Sequence, residues 1–438
     1  MADPLTAPGP RVTIDEVTLT PVHPERLADR DLDHPRLDVT PPENTSDIYA
    51  LKVGGWAIGK RQPVTHFELM HRGVILERVP ALPGDDELAG KIELAVSSLD
   101  LPYTFSVAVR AVLEDQTRAR IATLSGTRVP IPGAPGPGPS PVLVTTIGRS
   151  GSTAVTILLC HHPDFAGYTP WDTETRVVSY WTAVLRGLAR PASYERQLQQ
   201  PGGPGWVNWW VGAGQPNPEI PRNDPALPFL GREGVEAMAA FCRSQIGRVA
   251  SSLAAVSGKP GARYFVEKAQ IDRVRSVAEV SEELDPRARE IVLVRDLRDV
   301  ACSMLAYSRR TGVQGFGPQP DSPIEDTIRW LSETNAINLV EYVEHRGAHA
   351  HLLRYEDLIT RPEAALTDAL EYIGADARTQ TVAEMLARLG AEGDRRAVHA
   401  TTDSAQNSIG RWRHELDADQ QALAEHHLRP YLDALGYE

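Results

Sequence analysis

PVLVTTIGRSGSTAVTILLCHHP, Pro141 to Pro163, decides how the chain folds. Val142 to Thr146 is a β-branched, apolar run, the pattern of a buried strand. Gly148-Arg149-Ser150-Gly151-Ser152-Thr153 follows at once, and Ala154 to Cys160 then reads as a helix packed on a sheet. The order is strand, tight Gly/Ser loop, helix. Successive backbone N–H groups of such a loop point into one concavity, and the helix N-terminus adds partial positive charge. The stretch therefore predicts a phosphate or sulfate loop; the competing reading is a Gly/Ser turn that binds nothing. A triphosphate loop of the form GxxxxGK[ST] needs a Lys before its hydroxyl residue. Here Ser152 precedes Thr153, and Arg149 is the cation of the loop. The helix ends near His161 and His162, because Pro163 cannot continue it.

Working outward, the chain has 438 residues, 42% of them hydrophobic, which predicts two domains and a large core. No run of eighteen or more apolar residues occurs, so no membrane span is expected. MADPLTAPGPR has neither a basic n-region nor an apolar h-region, and does not read as a secretory signal. Cys160, Cys242 and Cys302 are scattered and lack metal-ligand spacing; they read as reduced thiols of a cytoplasmic protein. A net charge of −13 argues against nucleic acid as a partner. It leaves room for an anionic cofactor held by a local loop and a helix terminus.

Residues 1–9 read as disordered. Residues 10–130 carry about seven short alternating runs separated by turn residues, the pattern of a β-sandwich. His23, His34, His66 and His71 lack ligand spacing, so this region is expected to be structural or to bind a partner or acceptor. Residues 131–141, IPGAPGPGPSP, read as a stiff, exposed Pro/Gly linker unable to pack, and 142–438 as the second domain.

Beyond the loop, Tyr168 to Arg176, YTPWDTETR, returns toward the carboxyl edge of the sheet, where parallel sheets bind ligands. Five of the eight tryptophans fall between Trp171 and Trp210. Trp171, Trp206 and Trp209 read either as an acceptor wall, indole faces suiting sugar rings and flat apolar bodies, or as a packed irregular insertion. Gly234 to Val256 has helical spacing, and Arg263 to Lys268 reads as a strand ending in Lys268. Ile291 to Val294 is the next buried strand, with Arg295 at its tip and a helix behind it. Glu325 to His345 reads as a long amphipathic helix, His351 to Leu358 as a strand with a polar end, and the chain from Asp417 as a terminal helix. This alternation predicts a parallel α/β sheet.

The GRSGST loop, Arg295 followed eight residues later by Ser303, LRYEDL at 353–358 and GRW at 410–412 occur in that order. Together they resemble the sulfotransferase family that uses 3′-phosphoadenosine 5′-phosphosulfate (PAPS). The resemblance covers about 142–438. It implies an α/β fold, a parallel-sheet P-loop-type sulfotransferase domain, preceded here by the small all-β sandwich-like domain. By position the 5′-phosphosulfate falls to Arg149, Ser150, Gly151, Ser152 and Thr153, and the 3′-phosphate to Arg295, Ser303 and Arg411, with Tyr355 near the nucleotide. Lys268 resembles the family's lysine that neutralises the leaving phosphate or the sulfuryl oxygens. Glu174-Thr175-Arg176 resembles the segment that carries the base of tyrosylprotein sulfotransferases. Glu174 is therefore the expected base, with His161 or His162 as runners-up, and Arg176 is expected to orient the acceptor or Glu174. No metal is implied. The missing signal anchor, few cysteines and Trp-rich insertion depart from that branch, so the expected acceptor is a hydroxylated small molecule, sugar or lipid-like metabolite. Monomer and homodimer stay open. The alternatives are a P-loop kinase, which wants a loop Lys and a Mg²⁺-binding Asp, or an inactive nucleotide-binding scaffold.

Overall fold

Apolar side chains at every second position need a partner sheet, and the N-terminal region supplies one from its own chain. The computed structural model describes residues 14–23, 32–39, 49–189, 231–272, 275–312, 317–319, 321–391 and 401–438. The chain divides into two compact units, Met1–Gly133 with Trp181–Arg243 and Ala134–Tyr180 with Ser244–Glu438. The first unit contains strands β1 (Ile14–Pro21), β2 (Leu32–Val39), β3 (Ala50–Gly59), β4 (Val64–His71), β5 (Val74–Pro80), β6 (Leu82–Pro83), β7 (Ala89–Ser97), β8 (Thr104–Leu113) and β9 (Arg118–Arg128). They form antiparallel sheets of order β1-β9-β8-β4-β5 and β2-β3-β7-β6. Leu51, Val53, Ile92 and Leu94 of one sheet share a core with Phe67, Leu69, Phe105 and Val107 of the other, which makes the sandwich.

Nine strands are described where the sequence predicted about seven. β2 carries Pro35, which normally argues against a strand; a register shift between Asp33 and Arg36 accommodates it. β7 hides its alternation, Ile92-Leu94-Val96, among Lys91 and Glu93. The segment 1–9 lies outside the described residues.

The second unit holds β10 (Ser140–Thr146), β11 (Phe165–Ala166), β12 (Tyr264–Gln270), β13 (Arg289–Val294) and β14 (His351–Arg354), all parallel, in the order β11-β12-β10-β13-β14. The quoted stretch is thus the central strand. Its helices are α1 (Ser152–Cys160), α2 (Val177–Leu188), α3 (Arg232–Val256), α4 (Val277–Leu284), α5 (Leu297–Thr311), α6 (Ile324–Leu331), α7 (Ile337–Arg346), α8 (Tyr355–Thr360), α9 (Pro362–Ile373), α10 (Thr379–Ala391), α11 (Trp412–Glu415) and α12 (Ala418–Ala434), with α2 and α3 each running on into the first unit. Along β13, Ile291 and Leu293 face α1, α9 and α10, whereas Val292 and Val294 face α5, α6, α7 and α12. Burial on both faces explains why these strands read as unbroken apolar runs. The segment expected as one long helix is α6 and α7 joined through a π turn at Ser332–Ala336. No helix among the described residues is long and apolar enough to cross a membrane.

Two expectations need correction. The Pro/Gly run 131–141 does pack. The Gly136 N–H donates to Asp285 at 2.9 Å, and Arg287 donates to the Gly136 carbonyl at 2.7 Å. A Cβ on Gly247 of α3 would lie 1.8 Å from the Pro137 carbonyl oxygen, so the missing side chain admits the run. β10 itself begins at Ser140, inside that run. The strand read over 351–358 stops at Arg354, and Tyr355 opens α8, whose first turn carries Glu356 and Asp357. Carboxylates there suit a helix N-terminus.

Candidate active site

Four strand ends converge on one edge of the parallel sheet. The register pairs Val144 with Lys268, Thr145 with Val292 and Val294 with Arg354. This sets the 148–153 loop between Lys268 on β12 and Arg295 after β13, with Tyr355 beyond Arg295. Period two along β12 puts Lys268 on the face of Tyr264 and Val266, which is the face of α1.

The loop has a required glycine. Gly151 adopts φ +95°, and a Cβ there would meet the Tyr355 ring at 2.5 Å. Gly151→Ala is expected to destabilise the protein by about 2 kcal/mol, combining left-handed strain with a clash. Gly187→Ala is the control, since nothing lies within 4 Å of its added methyl; it should be neutral or slightly stabilising. Denaturant unfolding midpoints of the two variants check this.

The loop carries open donors and positive charge. The buried Ser150 hydroxyl and the Nε of buried Arg295 have no hydrogen-bond partner among the described residues. Buried donors left open in a folded core ask for a ligand. Arg149 lies over the Tyr307 ring at 4.2 Å. Burial, opposed by Tyr307 and reinforced by the charges of Arg295, Arg310 and Arg411, pulls Arg149 down to about 10. It stays cationic at neutral pH, in a cluster of like charges that an anion would relieve. Arg295 donates to the Arg149 carbonyl at 3.1 Å and the Ser408 carbonyl at 2.5 Å, and lies 4.7 Å over the Tyr355 ring. Tyr355 and Ser408 are joined through their hydroxyls at 3.1 Å.

Helical spacing arranges a stripe. Arg295 at the strand tip, then Asp299, Ser303 and Tyr307 on α5, recur every fourth residue and face the loops. The Ser303 hydroxyl lies 3.3 Å from that of Thr401, which accepts from Arg411 at 2.6 Å. Glu415 clamps Arg411 at 2.8 and 3.0 Å. Asp299 accepts the N–H of Gly410 at 2.7 Å and of Trp412 at 3.2 Å, holding the backbone on either side of Arg411. Thr401 and Glu415 have no signal of their own in the sequence, where Asp299 reads only as a surface ion-pair partner of Arg295. The signal for Asp299 was its place midway between Arg295 and Ser303.

Burial pushes Asp299 up to about 6, against the pull of Arg295. A raised folded value means the native state favours the protonated acid. That stabilising term is present below the ordinary carboxylate range and is lost as pH rises through about 6. The clamp on Gly410 and Trp412, by contrast, needs the carboxylate. Affinity for 3′,5′-ADP is therefore expected to fall as pH drops through about 6. Asp299→Asn, whose amide accepts on one side only, should bind about tenfold more weakly at neutral pH. It should also lose the part of the pH profile that the nucleotide's own phosphate does not supply. Calorimetric titrations across pH read both.

On the other side of the loop, Lys268 donates to Thr153 Oγ1 at 2.7 Å and to Glu174 Oε1 at 3.0 Å. Burial lowers the Lys268 ammonium, and the hydrogen bond and charge of Glu174 oppose this. Glu174 is 49% exposed, so its carboxylate is open to a second molecule. Arg176 stands 4.0 Å from its other oxygen. The backbone around it is unusual: Asp172, Thr173 and Arg176 have φ of 51°, 60° and 52°. A β-branched residue such as Thr173 is costly there. Trp171, 63% exposed, sits edge-on to Tyr168 at 5.2 Å. Trp206 and Trp209 lie outside the described residues.

His161 and His162 stand at the far end of α1, about 13 Å along the helix from the loop. The Nδ1 of His162 accepts the Asp164 N–H at 3.0 Å, which leaves Nε2 to donate to the Asp376 carbonyl at 2.9 Å. That ring is occupied in holding the fold.

A sequence profile of the sulfotransferase family matches residues 141–380, more than half of the chain. The chain belongs to the sulfotransferase family. Solved structures with a similar fold include a sulfotransferase domain from the curacin biosynthetic pathway, at 16% identity and TM-score 0.39, covering 69% of this chain and 99% of that one. Sulfotransferase STF9 from Mycobacterium avium is similar at 17% identity and TM-score 0.37, covering 70% and 78%. Retinol dehydratase, in complex with androsterone and the inactive cofactor PAP, is similar at 16% identity and TM-score 0.36, covering 76% and 90%. None of these likenesses carries a residue assignment. No curated protein matches the chain. Sulfuryl transfer as a general activity follows from the family, and the parallel sheet with its flanking helices, preceded by the antiparallel sandwich, is the fold expected from the sequence.

Proposed function

We propose that this sulfotransferase moves the sulfuryl group of PAPS to a hydroxyl of a small-molecule, sugar or lipid-like acceptor, with Glu174 as the base. The observation that carries the reading is the chain of contacts from Thr153 through Lys268 to Glu174, running from the anion loop to an exposed carboxylate. The open donors at Ser150 and Arg295 fit an anionic nucleotide. PAPS supplies an activated sulfuryl group. Arg149, Ser150, Gly151, Ser152 and Thr153 hold its 5′ end. Arg295, Ser303 and Arg411, with Tyr355 against the loop, hold its 3′ end.

Glu174 takes the acceptor's proton as the new O–S bond forms and the S–O bond to the 5′-phosphate breaks. Lys268 and Arg149 stabilise the negative charge that gathers on the leaving phosphate and the sulfuryl oxygens. Arg176, 4.0 Å from Glu174, and the exposed Trp171 are assigned to the acceptor in this reading, as are Trp206 and Trp209, which lie outside the described residues. No metal is needed for these steps. The kinase alternative draws no support: Asp296, the acid at the strand tip, accepts the Arg298 N–H at 2.9 Å and pairs with its guanidinium at 2.8 Å.

The test is a panel of phenols, sterols, sugars and peptide tyrosines with radiolabelled PAPS. Label in small hydroxylated compounds supports the proposal. Label in peptide tyrosines alone overturns the acceptor class, and no label in any compound overturns the activity.

A further inference from the structure

Residue 267 is a carboxylate in the middle of a buried strand, next to Lys268 and pointing to the opposite face. Glu267 has no exposed surface. One oxygen accepts the Val177 N–H at 2.7 Å and the Thr175 hydroxyl at 3.3 Å. The other accepts the N–H groups of Val178 at 3.1 Å and Ser179 at 3.2 Å and the Ser179 hydroxyl at 3.4 Å. Five donors from residues 175–179 thus converge on one side chain. They are the start of α2 and the residue directly after Glu174. On the other face of the same strand, Lys268 holds Glu174 by its side chain, and at the strand's edge its backbone N–H donates to the Thr173 carbonyl at 3.3 Å. The loop therefore wraps around β12, and adjacent strand residues grip it from opposite faces.

We propose that Glu267 is the positioning residue that fixes the base: it anchors Thr175 and the first turn of α2 so that Glu174 stays beside Lys268. This rests on Glu174 being the base. Two further observations support it. Left-handed backbone persists only if its surroundings enforce it: Arg176 lies between Thr175 and Val177, both held by Glu267, while Thr173 donates to the Thr156 hydroxyl at 2.7 Å. A Ser or Asp at the helix start would cap α2 without burying a charge in the core. Burial here pushes the Glu267 carboxyl up to about 7, opposed by the donors it accepts. A carboxylate kept at such a place satisfies donors on both sides of the turn, which a local cap cannot reach.

The experiment is a cycle of Glu267→Ala, Glu267→Gln, Glu174→Gln and the Glu174→Gln/Glu267→Ala double variant in the full chain. Turnover of an acceptor identified by the panel, 3′,5′-ADP affinity and thermal midpoint are read for each. Glu267→Ala should lower kcat by about 10²-fold, the scale of a misplaced reacting group, with acceptor KM and nucleotide affinity changed only a few-fold. Glu267→Gln, which keeps an acceptor oxygen, should recover much of the loss. On the Glu174→Gln background the Glu267→Ala loss should largely vanish. A lowered thermal midpoint with full turnover per folded molecule overturns the proposal, as does an equal loss on both backgrounds. If Glu174→Gln turns over like the unsubstituted protein, the base assignment itself fails, and with it the reason for a positioning role.

Discussion

Lys268→Ala is expected to lower kcat by on the order of 10²–10³, the scale of losing one charge-stabilising donor. Lys268 touches both the loop and the proposed base: it donates to Thr153 at 2.7 Å and to Glu174 at 3.0 Å. In the proposed mechanism, removing its ammonium leaves the charge that develops on the leaving phosphate and sulfuryl oxygens to Arg149 and the loop N–H groups. It also frees Glu174 to swing into solvent. Ground-state binding of the nucleotide should change little, because Arg149, Arg295 and the loop N–H groups are untouched. Steady-state turnover with labelled PAPS, paired with calorimetric binding of 3′,5′-ADP, separates these effects. Binding lost while turnover per occupied site is unchanged would assign Lys268 to affinity instead.

Arg295→Ala should show the opposite division. Its guanidinium is buried, fastened to the Arg149 and Ser408 carbonyls and laid against Tyr355. It therefore links the 148–153 loop to the 408–412 loop. Its removal should weaken 3′,5′-ADP by roughly 2–5 kcal/mol, the range for breaking one side of a buried charge pair. That corresponds to about thirty- to several-thousand-fold in Kd. Arg295→Lys keeps the charge and loses the fork, and should fall between the two. Unchanged 3′,5′-ADP affinity in folded Arg295→Ala would remove the 3′-phosphate from this end of the site.

The sequence carried the fold where local chemistry and tertiary context agree. Val142–Thr146 could hardly be anything but a buried strand, and the GRSGST turn with the helix behind it followed from glycine, serine and proline placement. The Arg295-to-Ser303 spacing was readable because both lie in one continuous segment. Other features were hidden because their meaning arises from distant partners. Glu267 looks like a misplaced charge until residues 175–179 close over it. Asp299 looks like a helix-start acid until the 410–412 loop lands on it. The Pro/Gly run read as unable to pack because nothing local reveals that Gly247 clears space for it. Tyr355 read as strand because the apolar run before it is strand; the switch to α8 depends on the acidic turn that follows.

The most direct test of the account is calorimetric titration of the purified full chain with 3′,5′-ADP, beside ADP and ATP with Mg²⁺. Selective binding of 3′,5′-ADP without a metal is the expected result, because the proposed function assigns the 3′-phosphate to Arg295, Ser303 and Arg411. Preference for ATP with Mg²⁺, or equal binding of ADP and 3′,5′-ADP, would contradict it.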